Sequence, residues 1–187
     1  DKGFSALGVG PAMGLDTEST ALLRSIVESA HCPLLLDADA LTILSREPGV
    51  MEKLPAHSLL TPHPKEFDRL FGEHSSTEER RAKAMEIAAE RDWVIVLKGH
   101  QTLIASSGAC WENTTGNAGL AKGGSGDVLT GMITALLAQG YEPSRAAVIG
   151  VYLHGLAADL ALAGQSEESM LATDVIAKIG AAYTALR

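Results

Sequence analysis

The stretch NAGLAKGGSGDVLTGMITALLAQG, from Asn117 to Gly140, places glycines at 119, 123, 124 and 126 just ahead of a carboxylate, Asp127, and an apolar-faced helix. Glycines at such a position remove side chains, so backbone N–H groups can approach an anion, and a helix start adds unpaired donors and the positive end of its dipole. The segment therefore reads as a phosphate cradle built from Gly124, Ser125 and Gly126. Asp127 is out of place in a simple cradle, because a carboxylate beside a phosphate repels it unless the carboxylate acts on something else.

Four further polar stretches follow short apolar runs: GVGPAMG at 8–14, DADAL at 37–41, TPHPKEF at 61–67 and KGHQT at 98–102. Each has a plain structural reading as well. Gly10 and Gly14 serve a tight turn. Asp37 and Asp39 read more simply as helix caps than as neighbours of a metal or phosphate. His63 is a turn residue between two prolines, Glu66 complements a helix dipole, and Lys98 is a strand-end lysine reaching for solvent. His154, inside the most apolar helix, reads as a packing residue rather than a ligand, and Asp127 itself is a helix-start residue in this view.

The elements that position these residues follow from the hydrophobic pattern. Ala6–Val9, Pro33–Leu36, the run before Thr61 and WVIVL before Lys98 are continuous apolar runs, as in buried parallel strands. QTLIAS and ACWEN follow as strands joined by tight turns. Helices are expected over 17–30, after the strand that stops at Asp37, from Pro64 with Glu66 in its first turn, over STEERRAKAMEIAAERD, and through nearly all of the chain after Gly126. Strands alternating with helices give an α/β domain with a mostly parallel sheet, whose ligands sit beyond the carboxyl ends of the strands. All the polar stretches fall there.

At 187 residues with 46% hydrophobic content, the chain fits one well-cored domain. A net charge of −8 excludes a nucleic-acid binder, which needs a basic face. Two cysteines, Cys32 and Cys110, lack metal-ligand or redox spacing, so a reducing compartment is expected. No apolar run approaches the roughly 20 residues that span a bilayer, and no signal-peptide pattern is present, so the expectation is a cytoplasmic protein with no membrane association. The chain enters its first strand almost at once, and a single domain over 1–187 lacking N-terminal strand and helix units is expected.

Taken together, GVGPAMG, LLLDADAL, LTPHPKEF, VIVLKGHQTLIA, NAGLAKGGSGDVLTG and YLHGLAAD resemble the ADP- or ATP-dependent NAD(P)H-hydrate dehydratases of the ribokinase-like superfamily. They span the chain from its first strand to near Ala158, and the long glycine-rich segment is the most specific of them. Two positions depart from the family pattern: residue 12 is Ala within a loop that usually reads Gly-Pro-Gly, and His63 stands where related enzymes often carry Asn. The resemblance implies a layered α/β/α fold with a mostly parallel central sheet. It implies repair of hydrated nicotinamide cofactors, with ADP or ATP as phosphoryl donor, Mg²⁺ as the metal, and a functional link to an NAD(P)H-hydrate epimerase. Asp127 then becomes the general base and a contact to the hydrate, together with Gly10, Gly14 and His63. Lys98, Gly99, His100, Gln101, Thr102, Asn117, Gly124, Ser125 and Gly126 hold the nucleotide, and Glu66 positions the metal or a water. The choice of donor, the preference between the two cofactors and the oligomeric state, a homo-oligomer included, stay open. Two alternatives remain at this point: a ribokinase-like kinase of a vitamin precursor, which would leave a stable phosphorylated alcohol, and a nucleotide-binding fragment without turnover.

Overall fold

Leu34, Leu35 and Leu36 are all fully buried, yet they serve two different cores, because successive side chains of a strand point to opposite faces. Leu34 and Leu36 face the same core as Leu60, Ile95, Leu97, Leu103 and Ala105, whereas Leu35 faces that of Leu59, Val94, Val96 and Ile104. A sheet buried on both faces needs a layer of helices on each, which is why its strands read as unbroken apolar runs.

The computed structural model describes residues 3–186. Asp1, Lys2 and Arg187, which the single-domain expectation included, lie outside the described residues. Four parallel strands, β1 (Leu7–Val9), β2 (Leu34–Leu36), β3 (Leu59–Leu60) and β4 (Val94–Leu97), lie side by side in chain order. Two antiparallel strands, β5 (Leu103–Ser106) and β6 (Ala109–Glu112), extend the sheet beyond β4. β1 forms one edge among the described residues.

The connections between parallel strands are helical, as parallel pairing requires. They comprise α1 (Thr17–Ser29), α2 (Asp39–Arg46) with α3 (Pro48–Met51), and α4 (Pro64–Phe71) with α5 (Thr77–Arg91). Leu23 and Val27 of α1, Leu41 and Leu44 of α2, Phe67 of α4, and Ala84 and Ala88 of α5 close the first core. Local signals start these helices: Asp16 caps α1 through the Ser19 N–H, and Ser76 caps α5 through the Glu79 N–H. The opposite face is covered by α6 (Ser125–Ala138) and α7 (Pro143–Ala161), whose Leu129, Ile133, Leu136, Ala147 and Val151 build the second core. α8 (Ala172–Ala185) packs outside α7 through Val175 and Ala182, against Leu153, Ala157 and Ala158.

One expectation is corrected. The helical stretch Pro143–Gly164 is 22 residues long with a mean hydropathy of 1.7, so one helix does reach membrane-spanning length and apolarity. Its character has a structural cause, since α7 lies between the sheet, α6 and α8, and 56% of its most apolar window is buried inside the protein. Alanines and glycines let these neighbours approach it from several sides.

Phe67 is fully buried where α4 meets the sheet, and its ring lies 4.9 Å from that of Phe71. Phe67→Ala is expected to lower the unfolding free energy by about 3–5 kcal/mol in urea denaturation; a loss under about 1 kcal/mol would contradict this view of the core.

Candidate functional site

α6 begins without a side-chain cap. Its N-cap is Gly124, at φ +87°, and the first bond of the helix ladder runs from the Val128 N–H to the Gly124 carbonyl at 3.1 Å. The amides of Gly126 and Asp127 therefore precede the ladder and point out of the helix end. The Asp127 carboxylate, in this first turn, is exposed and makes no hydrogen bond or ion pair among the described residues. A capping aspartate would hold a backbone N–H, and Asp127 holds none.

The loop ahead of α6 is fixed from behind. Lys122 donates to the carbonyls of Glu167 and Met170, each at 2.9 Å, and to that of Glu168, so the loop's own lysine is turned toward the α7–α8 connection. The Asn117 side chain is committed as well, accepting from the Gly119 N–H at 3.0 Å and donating to Asp159 Oδ1 at 2.9 Å. Asp159 also accepts from the Gly116 N–H at 2.9 Å. A Cβ at Gly155 would stand 2.6 Å from the Thr115 backbone, which shows how closely this loop lies on α7. Gly155 and Asp159 thus explain the HGLAAD segment as the seat of the loop.

The strand-end loops gather beside the cradle. Gly10, at φ +130°, lies so near β2 that a Cβ would fall 1.8 Å from the Asp37 carbonyl oxygen. Ala12 adopts φ +54°, a left-handed conformation that glycine takes without strain, which accounts for the glycine usual in this loop. The Gly14 N–H donates to Asp39 Oδ2 at 2.9 Å. His63 is the N-cap of α4: its Nδ1 accepts from the amides of Lys65 and Glu66 at 3.1 and 3.2 Å, as an Asn side chain would. Its own N–H donates to Glu66 Oε2 at 2.8 Å, completing a capping box.

The reading of Asp37 and Asp39 as helix caps is overturned. The N-cap of α2 is Ala38, held at φ +49° and ψ −117°, and it turns the two aspartates in different directions. Asp39 reaches back to the Gly14 loop. Asp37 is only 2% exposed, accepts from Lys98 Nζ at 2.8 Å and Thr130 Oγ1 at 2.9 Å, and so links β2, the end of β4 and α6. Lys98 is correspondingly not a solvent-seeking lysine: its Nζ also lies 4.0 Å from Glu66 Oε2. A Cβ at Gly126 would lie 3.6 Å from both Asp37 Oδ2 and Lys98 Nζ, so this pair sits against the first turn of α6.

Of the loop after β4, Gly99, His100 and Gln101 are exposed, and Thr102 Oγ1 makes a long 3.4 Å bond to the Gly99 carbonyl. The structure brings together Lys98, Gly126 and Glu66, with Ser125 and Asp127 on the same helix end. Two surface grooves, of about 360 Å³ between α1 and α2 and about 410 Å³ beside α4, contain none of the predicted site residues.

A mostly parallel sheet with helices on both faces is the layered ribokinase-like fold: the chain superposes on a ribokinase-like superfamily protein of Enterococcus faecalis with a TM-score of 0.79 at 29% identity, over 96% of this chain and 63% of that one. The chain belongs to the NAD(P)H-hydrate dehydratase family, whose model matches residues 2–180. It is 43% identical over 178 residues to the ADP-dependent (S)-NAD(P)H-hydrate dehydratase of Bacillus subtilis, covering 92% of this chain and 61% of the relative. It is 39% identical over 175 residues to the bifunctional NAD(P)H-hydrate repair enzyme Nnr of Moorella thermoacetica, covering 91% of this chain and 33% of that protein. Among solved structures, the ADP/ATP-dependent NAD(P)H-hydrate dehydratase of Bacillus subtilis, co-crystallized with ATP/Mg²⁺ and soaked with CoA, superposes with a TM-score of 0.83 at 35% identity, over 98% of this chain and 67% of that one. The chain thus spans between a third and about three-fifths of the length of these two curated relatives.

His154 lies beneath the cradle as a buried packing residue, but among the described residues its Nε2 has no hydrogen-bond partner. Desolvation pushes its pKa down to about 4, and the Ser125 backbone opposes this only in part. A histidine depressed in the folded state binds fewer protons than in the unfolded chain, so its stability contribution is complete above about pH 6.5 and is lost as pH falls toward 4. The loss should approach about 3 kcal/mol, at 1.36 kcal/mol per unit. Carboxylates with lowered pKa, such as Asp68 and Glu79, give both proteins some slope near pH 4, so urea titrations of the wild type and His154→Gln between these pH values should show the wild type losing more stability by about this amount; equal slopes would contradict it.

Proposed function

We propose that this chain catalyses the nucleotide-dependent dehydration of the S-form of NAD(P)H hydrate to NAD(P)H, with ADP converted to AMP and phosphate. The observation that carries the reading is Asp127: an exposed carboxylate with no partner among the described residues, one residue beyond Gly126 on a helix start suited to an anion, in a chain of the dehydratase family. One ribokinase-like domain carries the reaction.

Hydroxide is a poor leaving group, so the hydrate must be activated before water can be lost. The terminal phosphoryl of ADP lies against the amides of Gly124, Ser125 and Gly126, which compensate charge growing on its oxygens. Asp127 accepts the proton of the C6 hydroxyl as that oxygen bonds to phosphorus and AMP departs. Phosphate then leaves C6 as the ring nitrogen donates electrons, and loss of a C5 proton restores the double bond. Gly10, Gly14 and His63 hold the hydrate. Lys98 to Thr102 hold the adenine nucleotide, and Asn117 acts by shaping the loop, since its side chain is already bonded on both sides. Asp127 thus answers its oddity in a phosphate cradle: cradle and carboxylate serve different reactants.

Among the described residues, no three His, Cys, Asp or Glu side chains are gathered to hold a metal. The donor set fits an ion that arrives on phosphates and needs only one or two carboxylates, as magnesium does. Glu66, buried beside Lys98, would hold it, and the ion would offset phosphate charge. A functional link to an epimerase acting on the other hydrate form accords with relatives named as bifunctional repair enzymes.

The test is to incubate chemically hydrated NADH with the protein, Mg²⁺ and ADP while following the absorbance of the reduced cofactor. Recovery of NADH with release of AMP is expected; a stable phosphorylated alcohol, or no conversion, would overturn the proposal. Asp127→Asn keeps the shape and removes the proton acceptor, so ADP binding should survive while turnover falls by about 10²–10⁴-fold. A folded variant retaining most of the rate would remove Asp127 from the mechanism.

A further inference from the structure

Two lysines approach the amino end of α6, and they are held in opposite ways. Lys122 directs its ammonium to three backbone carbonyls, which accounts for all three of its protons. Lys98 makes one hydrogen bond, 2.8 Å to Asp37 Oδ1, with Glu66 Oε2 at 4.0 Å, and keeps donors for a ligand. Its partner is built in with care. Asp37 is 2% exposed, and its other oxygen accepts from Thr130 in the second turn of α6 at 2.9 Å. A single carboxylate therefore joins the end of β2, the end of β4 and the helix whose first turn forms the cradle. The 3.6 Å separation of a Gly126 Cβ from both Asp37 Oδ2 and Lys98 Nζ puts the pair directly against that turn.

We propose that Asp37 is the positioning residue of the nucleotide-phosphate site, fixing the Lys98 ammonium against the first turn of α6 and tying the helix to the same carboxylate through Thr130 in its second turn. A lysine on a four-carbon stem has many rotamers to lose on meeting an anion. Asp37 removes that freedom in advance, and Thr130 keeps Asp37 from following Lys98 toward the ligand. Asp37 touches neither nucleotide nor hydrate and acts through Lys98. This inference rests on the reading of Lys98 as a nucleotide contact.

The experiment is a double-mutant cycle of ADP binding, by calorimetry in the presence of Mg²⁺, on the wild type, Asp37→Asn, Lys98→Met and the double variant. Asp37→Asn should weaken ADP about tenfold or more, as should Lys98→Met, and the double variant should bind no more weakly than Lys98→Met. Wild-type affinity in Asp37→Asn, or an equal further loss on top of Lys98→Met, would overturn the proposal, the latter because it marks a merely structural effect. If Asp37→Asn does not fold, Thr130→Val takes its place: ADP binding weakened about threefold or more supports the proposal, and unchanged binding overturns it. A second readout separates failure of the functional reading. Amine acylation followed by mass spectrometry should modify Lys98 several-fold faster in Asp37→Asn than in the wild type, with exposed Lys65 unchanged. A wild type that binds no ADP but shows this difference refutes the nucleotide assignment alone, and equal labelling refutes the hold of Asp37 on Lys98.

Discussion

The site depends on how α6 is laid against the sheet. Leu129, Ile133, Leu136 and Leu137 bind it to the second face, and that packing brings its amino end to the carboxyl edge of the parallel strands. The unpaired amides and positive dipole end of the helix thereby meet the loops that leave β1 to β4. A helix of the same sequence docked in the other direction would carry its cradle to the far edge, away from every strand-end residue. The strong apolar content of α6 and α7 is thus as much a condition of the chemistry as the glycines are.

A chain with net charge −8 must make its anion site locally. Most polar groups around the amino end of α6 are committed to the scaffold, and a few face the open side with donors or acceptors to spare. Lys122, Asn117 and Asp159 hold the glycine-rich loop from behind, and His63 and Glu66 close the start of α4 on each other. What remains on the open side is the amides of Gly126 and Asp127, the spare donors of the Lys98 ammonium and the Asp127 carboxylate. Groups fixed before a ligand arrives need little rearrangement when charge develops on it, which is where such sites gain most of their effect.

Much of this was legible in the sequence, and the exceptions share a cause. The strands declared themselves as apolar runs because both their faces are covered, and the helices through apolar spacing and starts such as Pro64 with Glu66 in the first turn; the caps Asp16, Ser76 and His63 came only with the structure. Asp37 was not legible. Whether an aspartate before a helix caps it or turns inward depends on Lys98 and Thr130, 61 and 93 residues away, and no local pattern records them. Asp159 was missed for the same reason, since its partners at Gly116 and Asn117 are brought to it only by folding. The membrane-length apolar stretch at α7 was missed because Arg145, His154 and Asp159 interrupt any continuous apolar run while its alanines and aliphatic residues keep the mean hydropathy high.

The central claim is that the amino end of α6 is the anion site. It is tested most directly by titrating the ¹⁵N-labelled protein with ADP and Mg²⁺ and following backbone amide resonances. The account predicts the largest shifts at Gly124, Ser125, Gly126 and Asp127, with Gly99 to Thr102 moving at the same ligand concentration. Shifts confined to the groove between α1 and α2, around Thr20 and Arg24, with the α6 amides unmoved, would contradict it.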